Sequence, residues 1–407
     1  MSVRRPKRGW RWLLLGVAMT IGVSVKGEVP ILSSIMIRQP EGIEMKQNKW
    51  NEIDGIMQQA VEKGVIPGGV VLVARNGMIA KVQAYGWAAR YREDRKTLLP
   101  QAVQATTNTV YDVASLTKLF TATAVMQLVE QGRISLDVPV VRYLSDFTGE
   151  GKESITIRHL LSHTSGLPAN LPLYRTPGPP EKRLRVAMEA KPVATPGTRC
   201  IYSDIGYMVL GELVHRVSGK SLDQYMQEQI LQPLSMSSTA FRPPSTWKAR
   251  IAPTEEQTVP SRGLVWSEVH DENAWALGGV AGHAGLFSTV SDLARFGQMF
   301  LNEGSLDGVR VLHPSSVREM FRLQTPGLPH ANRGLGWELH QPWYMGEHAD
   351  GKRAGHTGFT GTSIVLDRET GWMLIVLTNR VHPTREGPSI SNMRKRLADA
   401  VEKIIEQ

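Results

Sequence analysis

The pattern of hydrophobic and polar residues predicts a β-sheet that both ends of the chain help to form. Apolar runs at 69–74 and 78–82 flank Asn76-Gly77. Asn-Gly between two β-rich runs is the strongest short-range signal for a hairpin. A second apolar hairpin is predicted near the other end, at 362–367 and 372–379. Both hairpins fit one antiparallel sheet with helices packed against it.

Helical spacing of apolar residues predicts helices at both ends and in the middle of the chain. Residues 46–63 form the first predicted helix, which Gly64 ends, and residues 117–130 form another. The last, at 391–405, carries one apolar stripe. Helical patches are predicted at 156–163, 203–217 and 221–231, and a helix at 291–302. Long loops are predicted at 170–180 and 242–262.

These elements predict an α+β fold, with an antiparallel sheet flanked by helices and a helical subdomain. We expect a catalytic domain over 46–380. Its sheet half would come from about 46–115 and 285–407, around a helical insert of about 116–284. The 407 residues are enough for one large enzyme with subdomains, and no internal repeat interrupts them.

The net charge of +9 suggests nucleic-acid or membrane binding until its position in the chain is considered. Residues 1–27 hold six Lys and Arg and no acid, which leaves +3 for the rest. Their order is basic, then apolar over Leu13 to Val25, then polar, as in a secretory signal. Thirteen apolar residues are few for a membrane span. We therefore expect a signal peptide or N-terminal anchor, a periplasmic or secreted protein, and no nucleic-acid partner.

The first candidate for chemistry is the pair Ser115 and Lys118, at the start of the helix predicted from residue 117. Residues three apart share a helix face. A serine hydroxyl needs a base beside it, and a lysine serves if its surroundings favour the neutral amine. The helix N-terminus also offers the Ser115 N–H to a developing oxyanion. Alone, this spacing equally describes an N-cap serine and a solvated lysine.

Two further groups of residues support a catalytic role for Ser115 and Lys118. Tyr202 and Asp204 stand where another helix begins. His356, Thr357 and Gly358 open a predicted β-run that continues to Leu366, and small residues there let a substrate approach the backbone. Each group has an ordinary structural explanation, but the three in this order are hard to obtain by accident.

Together these motifs resemble those of the serine beta-lactamases and penicillin-binding proteins, whose signature is S-x-x-K, S-D-N and K-T-G. The likeness is closest to class C beta-lactamases and to low-molecular-weight D-alanyl-D-alanine carboxypeptidases and esterases. It covers about residues 48–379 and includes the stretches 159–167 and 279–286. The resemblance implies a beta-lactamase/transpeptidase-like fold.

The resemblance also implies roles for individual residues. Ser115 would be the acylated nucleophile, Lys118 its base or proton relay, and Tyr202 a partner in proton transfer. Thr357 and its strand would hold the substrate. The backbone N–H of Phe359 would complete the oxyanion hole with that of Ser115.

Two residues depart from the family pattern within the expected substrate-binding set, which also includes Gly358. Asp204 replaces an asparagine, so an amide donor is lost and a charge gained. His356 replaces the lysine of K-T-G, which weakens the fixed positive charge for a substrate carboxylate. Both changes argue against strong penicillinase activity and leave acyl transfer intact.

We therefore expect an exported serine hydrolase acting through an acyl-enzyme, without a cofactor, on a D-Ala-D-Ala-type peptide or a beta-lactam. The alternatives are an esterase for short acyl esters and a non-catalytic, penicillin-binding-like regulatory protein. The sequence does not define the oligomeric state.

Three other features favour structural roles over chemical ones. His159 and His163 have the spacing of a zinc-binding H-E-x-x-H, but Leu160 stands in place of the glutamate. Residues 270–272 with His283 form a polar cluster, for which a hydrogen-bonded loop is a simpler explanation than a metal site. Cys200, the single cysteine, permits no intrachain disulfide, and a lone cysteine is usually a small buried hydrophobe.

Overall fold

The structure, a computed structural model, describes residues 50–91, 98–329, 331–349 and 351–405. The predicted export segment at 1–27 lies outside these residues. Among the helices that it describes, none is both long enough and apolar enough to cross a membrane.

Fourteen strands are found in the described chain: β1 (Gly68–Arg75), β2 (Met78–Tyr91), β3 (Leu98–Gln104), β4 (Tyr111–Asp112), β5 (Ala240–Phe241), β6 (Glu256–Thr258), β7 (Ser261–Leu264), β8 (Leu286–Ser288), β9 (Ser305–Leu306), β10 (Val309–Arg310), β11 (Glu338–Leu339), β12 (Arg353–Thr357), β13 (Ser363–Asp367) and β14 (Trp372–Thr378). Seven form the main antiparallel sheet in the order β11-β12-β13-β14-β1-β2-β3. Strands from the two ends of the sequence meet at its centre, where Gly69 pairs with Thr378 and Arg75 with Trp372.

The described α-helices are α1 (Asn51–Glu62), α2 (Thr117–Glu130), α3 (Ile157–Leu161), α4 (Pro180–Glu189), α5 (Asp204–Ser218), α6 (Leu222–Met226), α7 (Glu272–Ala276), α8 (Val290–Leu301), α9 (Pro314–Met320), α10 (Pro342–Met345) and α11 (Ser391–Ile405). A π-helix at Gln227–Leu231 continues α6, and a 3-10 turn at Ala114–Leu116 precedes α2. The α+β fold predicted from the sequence is confirmed.

The sheet is apolar on both faces because helices cover both. In β1, Val71 and Val73 pack into a core with α1 and α11. Val70 and Leu72, which point to the opposite face, pack into a larger core with α2 and α8. Alternation of side chains along a strand explains why β1 is one continuous apolar run instead of an alternating one.

Helix α2 runs through the larger core and carries Lys118 into it. Every residue from Thr117 to Leu128 is buried. Lys118 therefore reaches the site from a rigid, fully enclosed element.

Several predicted elements have the predicted bounds. The helices at 117–130 and 391–405 are confirmed, as are the hairpin at Asn76-Gly77 and the hairpin of β13 and β14. The prediction of a loop over 242–262 is wrong in part. That segment contains a 3-10 helix at Ser245–Arg250, all of β6 and the first residues of β7.

The prediction of one β-run from His356 to Leu366 is also wrong. His356 and Thr357 end β12, and the chain turns before β13 begins at Ser363. Gly361 in this turn has a φ of 120°, which other residues rarely adopt. The turn brings residues 358–362 back over the segment that precedes Ser115.

Candidate active site

The backbone before Ser115 is held in a strained shape by a buried carboxylate. Ala114 has a φ of 48°, in the left-handed region that residues other than glycine seldom occupy. The Ala114 N–H donates to Asp112 Oδ1 at 2.8 Å, and the His270 N–H donates to Asp112 Oδ2 at 2.6 Å. These bonds fix the turn that places Ser115 at the entrance of α2.

Lys118 lies directly beside Ser115. Its Nζ is 3.0 Å from Ser115 Oγ, 2.8 Å from Asp204 Oδ1 and 3.0 Å from the carbonyl oxygen of His283. The side chain is fully buried. Burial acts to lower the pKa of Lys118, but the Asp204 carboxylate and Tyr202 outweigh it, so the pKa lies above its usual range. The resting lysine is therefore an ammonium group that three oxygens hold in place.

Tyr202 completes this group of side chains. Lys118 Nζ lies 4.8 Å from the centre of its ring, and the tyrosine side chain lines the same cleft as Ser115. Burial raises the pKa of Tyr202, so the hydroxyl is protonated at rest. The structure thus brings together Ser115, Lys118, Tyr202 and Asp204 from two separate sequence motifs.

His163 supports the tyrosine, a contact that the sequence analysis missed. Its ring lies 4.5 Å from that of Tyr202, and its Nδ1 accepts the N–H of Ser203 at 3.0 Å. Burial lowers the pKa of His163 well below its usual value, so the ring is neutral. Its φ of 59°, just past the end of α3, carries the ring there. Sequence spacing gives no signal for this bend.

The turn after Thr357 is fastened to the segment that carries the serine. Thr360 Oγ1 donates to the Asp112 carbonyl at 2.7 Å, and Thr362 Oγ1 donates to the Val113 carbonyl at 3.0 Å. A Cβ on Gly358 would lie 2.5 Å from the Val113 carbonyl oxygen, so only glycine permits this approach. Thr357, Gly358 and Phe359 line one cleft with Ser115 and Tyr202.

The predicted substrate-binding residues Asp204 and His356 have other neighbours in the structure. Asp204 directs its carboxylate to Lys118. His356 is 1% exposed, and burial lowers its pKa to about 4. The imidazole is therefore neutral at pH 7 and supplies no charge to the cleft. Contact of either residue with a substrate stays a prediction.

Four arginines line the cleft, and the sequence analysis named none of them: Arg333, Arg380, Arg385 and Arg394. The cleft has a volume of about 600 Å³. Two aromatic side chains at the cleft, Trp343 and Phe359, are 40% and 49% exposed. The space beside Ser115 therefore offers positive charge together with apolar surface.

The histidines considered as metal ligands have structural partners. His159 and Thr156 form a reciprocal cap at the start of α3. His283 pairs with Asp271 at 2.8 Å, and His270 pairs separately with Glu255 at 2.9 Å. Within the described ranges, no three His, Cys, Asp or Glu side chains are grouped to hold a metal ion.

The contact between Asp204 and Lys118 leads to a prediction on pH dependence. If acylation needs the neutral Lys118 amine, the reaction rate rises with pH as Lys118 loses its proton. Asp204→Asn removes the charge that raises the pKa of Lys118, while burial still lowers it. For ester hydrolysis measured from pH 5 to 10, we expect kcat/KM of the unmodified protein to be still rising at pH 10, whereas in Asp204→Asn the rise should level off at lower pH.

Asp137→Asn is a suitable control, because Asp137 also forms an ion pair, with Arg158, but does not line the cleft. The Asp137 side chain is 70% exposed. Its profile should match that of the unmodified protein. An acidic limb at the same pH in Asp204→Asn would mean that Lys118 is not the titrating base.

Comparison with known proteins finds relatives over most of the chain. The Beta-lactamase family model matches residues 53–396. A Salmonella agona (strain SL483) protein named "Putative D-alanyl-D-alanine carboxypeptidase" is 31% identical over 417 aligned positions, covering 93% of each chain.

Solved structures share the fold. The structure titled "EstCE1, a hydrolase with promiscuous acyltransferase activity" has a TM-score of 0.67 at 25% identity, covering 87% of this chain and 98% of its own. A penicillin-binding protein homologue from Caulobacter crescentus has a TM-score of 0.68 at 20% identity, covering 88% and 98%.

Proposed function

This chain belongs to the beta-lactamase family of serine hydrolases, and on that premise we propose that it acts as a D-alanyl-D-alanine carboxypeptidase through an acyl-enzyme on Ser115. One observation carries the proposal. Ser115 Oγ lies 3.0 Å from a fully buried Lys118 Nζ, and the ring of Tyr202 lies beside that amine. A nucleophile with its base in contact, and a third group beside the base that can carry a proton, is the arrangement that acyl transfer needs.

In the proposed acylation, Lys118 first loses its proton to solvent. Ser115 Oγ then attacks the carbonyl carbon of the scissile bond while the neutral Lys118 amine takes the hydroxyl proton. The carbonyl oxygen becomes an oxyanion, which the N–H groups of Ser115 and Phe359 receive. Collapse of this intermediate breaks the bond to the leaving group. A proton passes to that group through Tyr202, which returns Lys118 to the neutral form.

Deacylation reverses the proton path. Water takes the position of the leaving group and attacks the acyl carbon, and Tyr202 with Lys118 accepts its proton. The bond between the acyl carbon and Ser115 Oγ then breaks, the proton taken from water passes to Oγ, and the acid product leaves. Splitting one difficult hydrolysis into two steps through an ester is the advantage of covalent catalysis.

The choice of a peptide substrate is supported by the name of the Salmonella relative, which covers nearly the whole chain. Hydrolysis of short acyl esters is the second candidate. It is favoured by the neutral, buried His356, which supplies no charge for a peptide carboxylate, and by the exposed Phe359 and Trp343.

The test uses the purified full-length chain. We expect a fluorescent penicillin or an activated phosphonate to attach covalently to Ser115, as mass spectrometry of the peptides would show. D-alanine release from a peptide ending in D-Ala-D-Ala is then compared with turnover of a 4-nitrophenyl ester. Ester turnover without D-alanine release would replace the first candidate by the second, and no labelling by any agent would contradict both.

We also propose export, on the basic, apolar and polar order of residues 1–27. Cell fractionation should place the protein outside the cytoplasm. Deletion of Leu13 to Val25 should retain it inside, and an unchanged distribution would contradict the proposal.

A further inference from the structure

Phe359 supplies one of the two proposed oxyanion donors from an exposed turn. It is 49% exposed and lies between β12 and β13, outside both strands. No group in the described part of the chain accepts a hydrogen bond from its backbone N–H, which is therefore free for an oxyanion. A donor of this kind accelerates the reaction only if it is held in place before the charge develops. The contacts that hold Phe359 therefore matter for catalysis.

Three side chains lie around the Phe359 ring. The ring of His270 is stacked on it, with an interplanar angle of 26° and ring centres 5.6 Å apart. The guanidinium groups of Arg380 and Arg385 lie 5.0 and 5.7 Å from its centre. A cation at this distance is attracted by the electrons of an aromatic face. The ring is thus held by groups that are remote from it in the sequence.

One buried glutamate binds two of these three groups. Glu255 is 6% exposed, and its Oε2 accepts from His270 Nε2 at 2.9 Å. Arg385 donates to the same carboxylate from its backbone N–H at 3.0 Å and from Nε at 2.7 Å. Burial acts to raise the pKa of Glu255, but hydrogen bonds from His270 and Arg385 hold it at about 2. The carboxylate is therefore ionised near neutral pH and restrains both partners.

His270 also connects this arrangement to the turn before Ser115. Its backbone N–H donates to Asp112 Oδ2 at 2.6 Å, and the same carboxylate fixes the backbone that leads to Ser115. Its ring meanwhile contacts Phe359. One residue therefore contacts both structures that carry the oxyanion donors, and Glu255 restrains its ring.

We propose that Glu255 is a positioning residue, which keeps the Phe359 N–H in place for the developing oxyanion. It acts through the side chains of His270 and Arg385, and it does not itself line the cleft. This inference rests on the proposed function, because it needs an oxyanion formed at Ser115. A displacement of about 1 Å at a catalytic group can lower a rate about 10²-fold.

The test is the rate at which an activated phosphonate labels Ser115, since labelling needs no deacylation. Glu255→Gln keeps the size of the side chain and removes its charge. We expect the rate constant at saturating phosphonate to fall at least about tenfold. The concentration for half-saturation should change less than about threefold, because the oxyanion contact is made only in the transition state. A change confined to half-saturation would overturn the proposal.

Glu402→Gln is the matched control. Glu402 also pairs with one arginine and one histidine, Arg353 and His348, and its side chain is 12% exposed, but it does not line the cleft. Labelling of Glu402→Gln should proceed as in the unmodified protein. Equal losses in the two variants would mean that loss of a paired carboxylate slows labelling wherever it occurs, which would contradict a positioning role for Glu255.

A double-mutant cycle tests whether Glu255 acts through the Phe359 ring. Phe359→Ala removes the ring and keeps the N–H, so it should also slow labelling. Adding Glu255→Gln to it should slow labelling no further. Losses that multiply, or no loss in Phe359→Ala, would overturn the proposal. If Glu255→Gln does not fold, Arg385→Gln takes its place in the cycle with the same expected outcome, because the Arg385 side chain is 38% exposed.

Fluorine NMR separates this inference from the proposed function. With 4-fluorophenylalanine at the eight Phe positions, the signal that Phe359→Ala removes belongs to residue 359. Glu255→Gln should shift or broaden that signal, and Glu402→Gln should leave it unchanged. A changed signal in a protein that no reagent acylates would support the restraint on Phe359 and contradict the proposed function alone. An unchanged signal in a protein labelled at Ser115 would contradict the inference alone.

Discussion

Ser115→Ala is expected to abolish covalent labelling and to lower kcat/KM by at least about 10³-fold. Without Oγ no acyl-enzyme forms, and the remaining N–H groups can only bind and polarise the substrate. The fold should persist, because Lys118 keeps its contacts with Asp204 and the His283 carbonyl. Mass spectrometry after incubation with an activated phosphonate, together with ester kinetics, measures both effects.

Ser237→Ala is the matched control, since Ser237 is an exposed serine that does not line the cleft. It should be labelled on Ser115 to the same extent as the unmodified protein. Covalent adducts that survive in Ser115→Ala would show that another residue is the nucleophile.

Lys118→Met is expected to lower kcat by about 10² to 10⁴-fold, the usual contribution of a positioned base. Methionine fills a similar buried volume without a proton acceptor. The variant also leaves Asp204 without its cation. Breaking a fully buried pair costs about 3 to 5 kcal/mol of unfolding free energy. Because the Asp204 side chain is 24% exposed, we expect a smaller loss of about 1 to 3 kcal/mol.

The double variant Lys118→Met, Asp204→Asn separates catalysis from stability. Both charges are then gone, so urea unfolding should recover part of the lost free energy while kcat stays low. Recovery of activity in the double variant would mean that Lys118 serves only to neutralise Asp204.

The sequence predicted correctly those elements and contacts that depend only on residues close together in the chain. Asn76-Gly77 specified its hairpin because few other residues fit the turn. Residues 117–130 specified α2 through apolar residues at helical spacing, with Gly132 just beyond the end. The contact between Ser115 and Lys118 followed from helix geometry, because residues three apart meet on one face.

Contacts that depend on the tertiary fold could not be predicted from the sequence. Arg394 is adjacent in sequence to the buried Met393, so the pattern alone does not show that its guanidinium lines a cleft. The ring of His163 reaches Tyr202 only because the backbone bends after α3. The turn at 358–362 was mistaken for a strand because β-branched residues stand close on either side of it. The bonds that hold it join its threonines to carbonyl groups about 250 positions away.

The pairing of β1 with β14 determines when this protein can fold during synthesis. Arg75 and Trp372 are neighbours in the sheet, yet at about 5 to 20 residues per second a ribosome needs roughly 15 to 60 s to pass from one to the other. Throughout that time β1 has one open hydrogen-bonding edge and an apolar surface without its final cover, which favours association with other chains. A chain that stops before β14 lacks the central strand of its main sheet. The complete sheet therefore forms only after β14 has been synthesised.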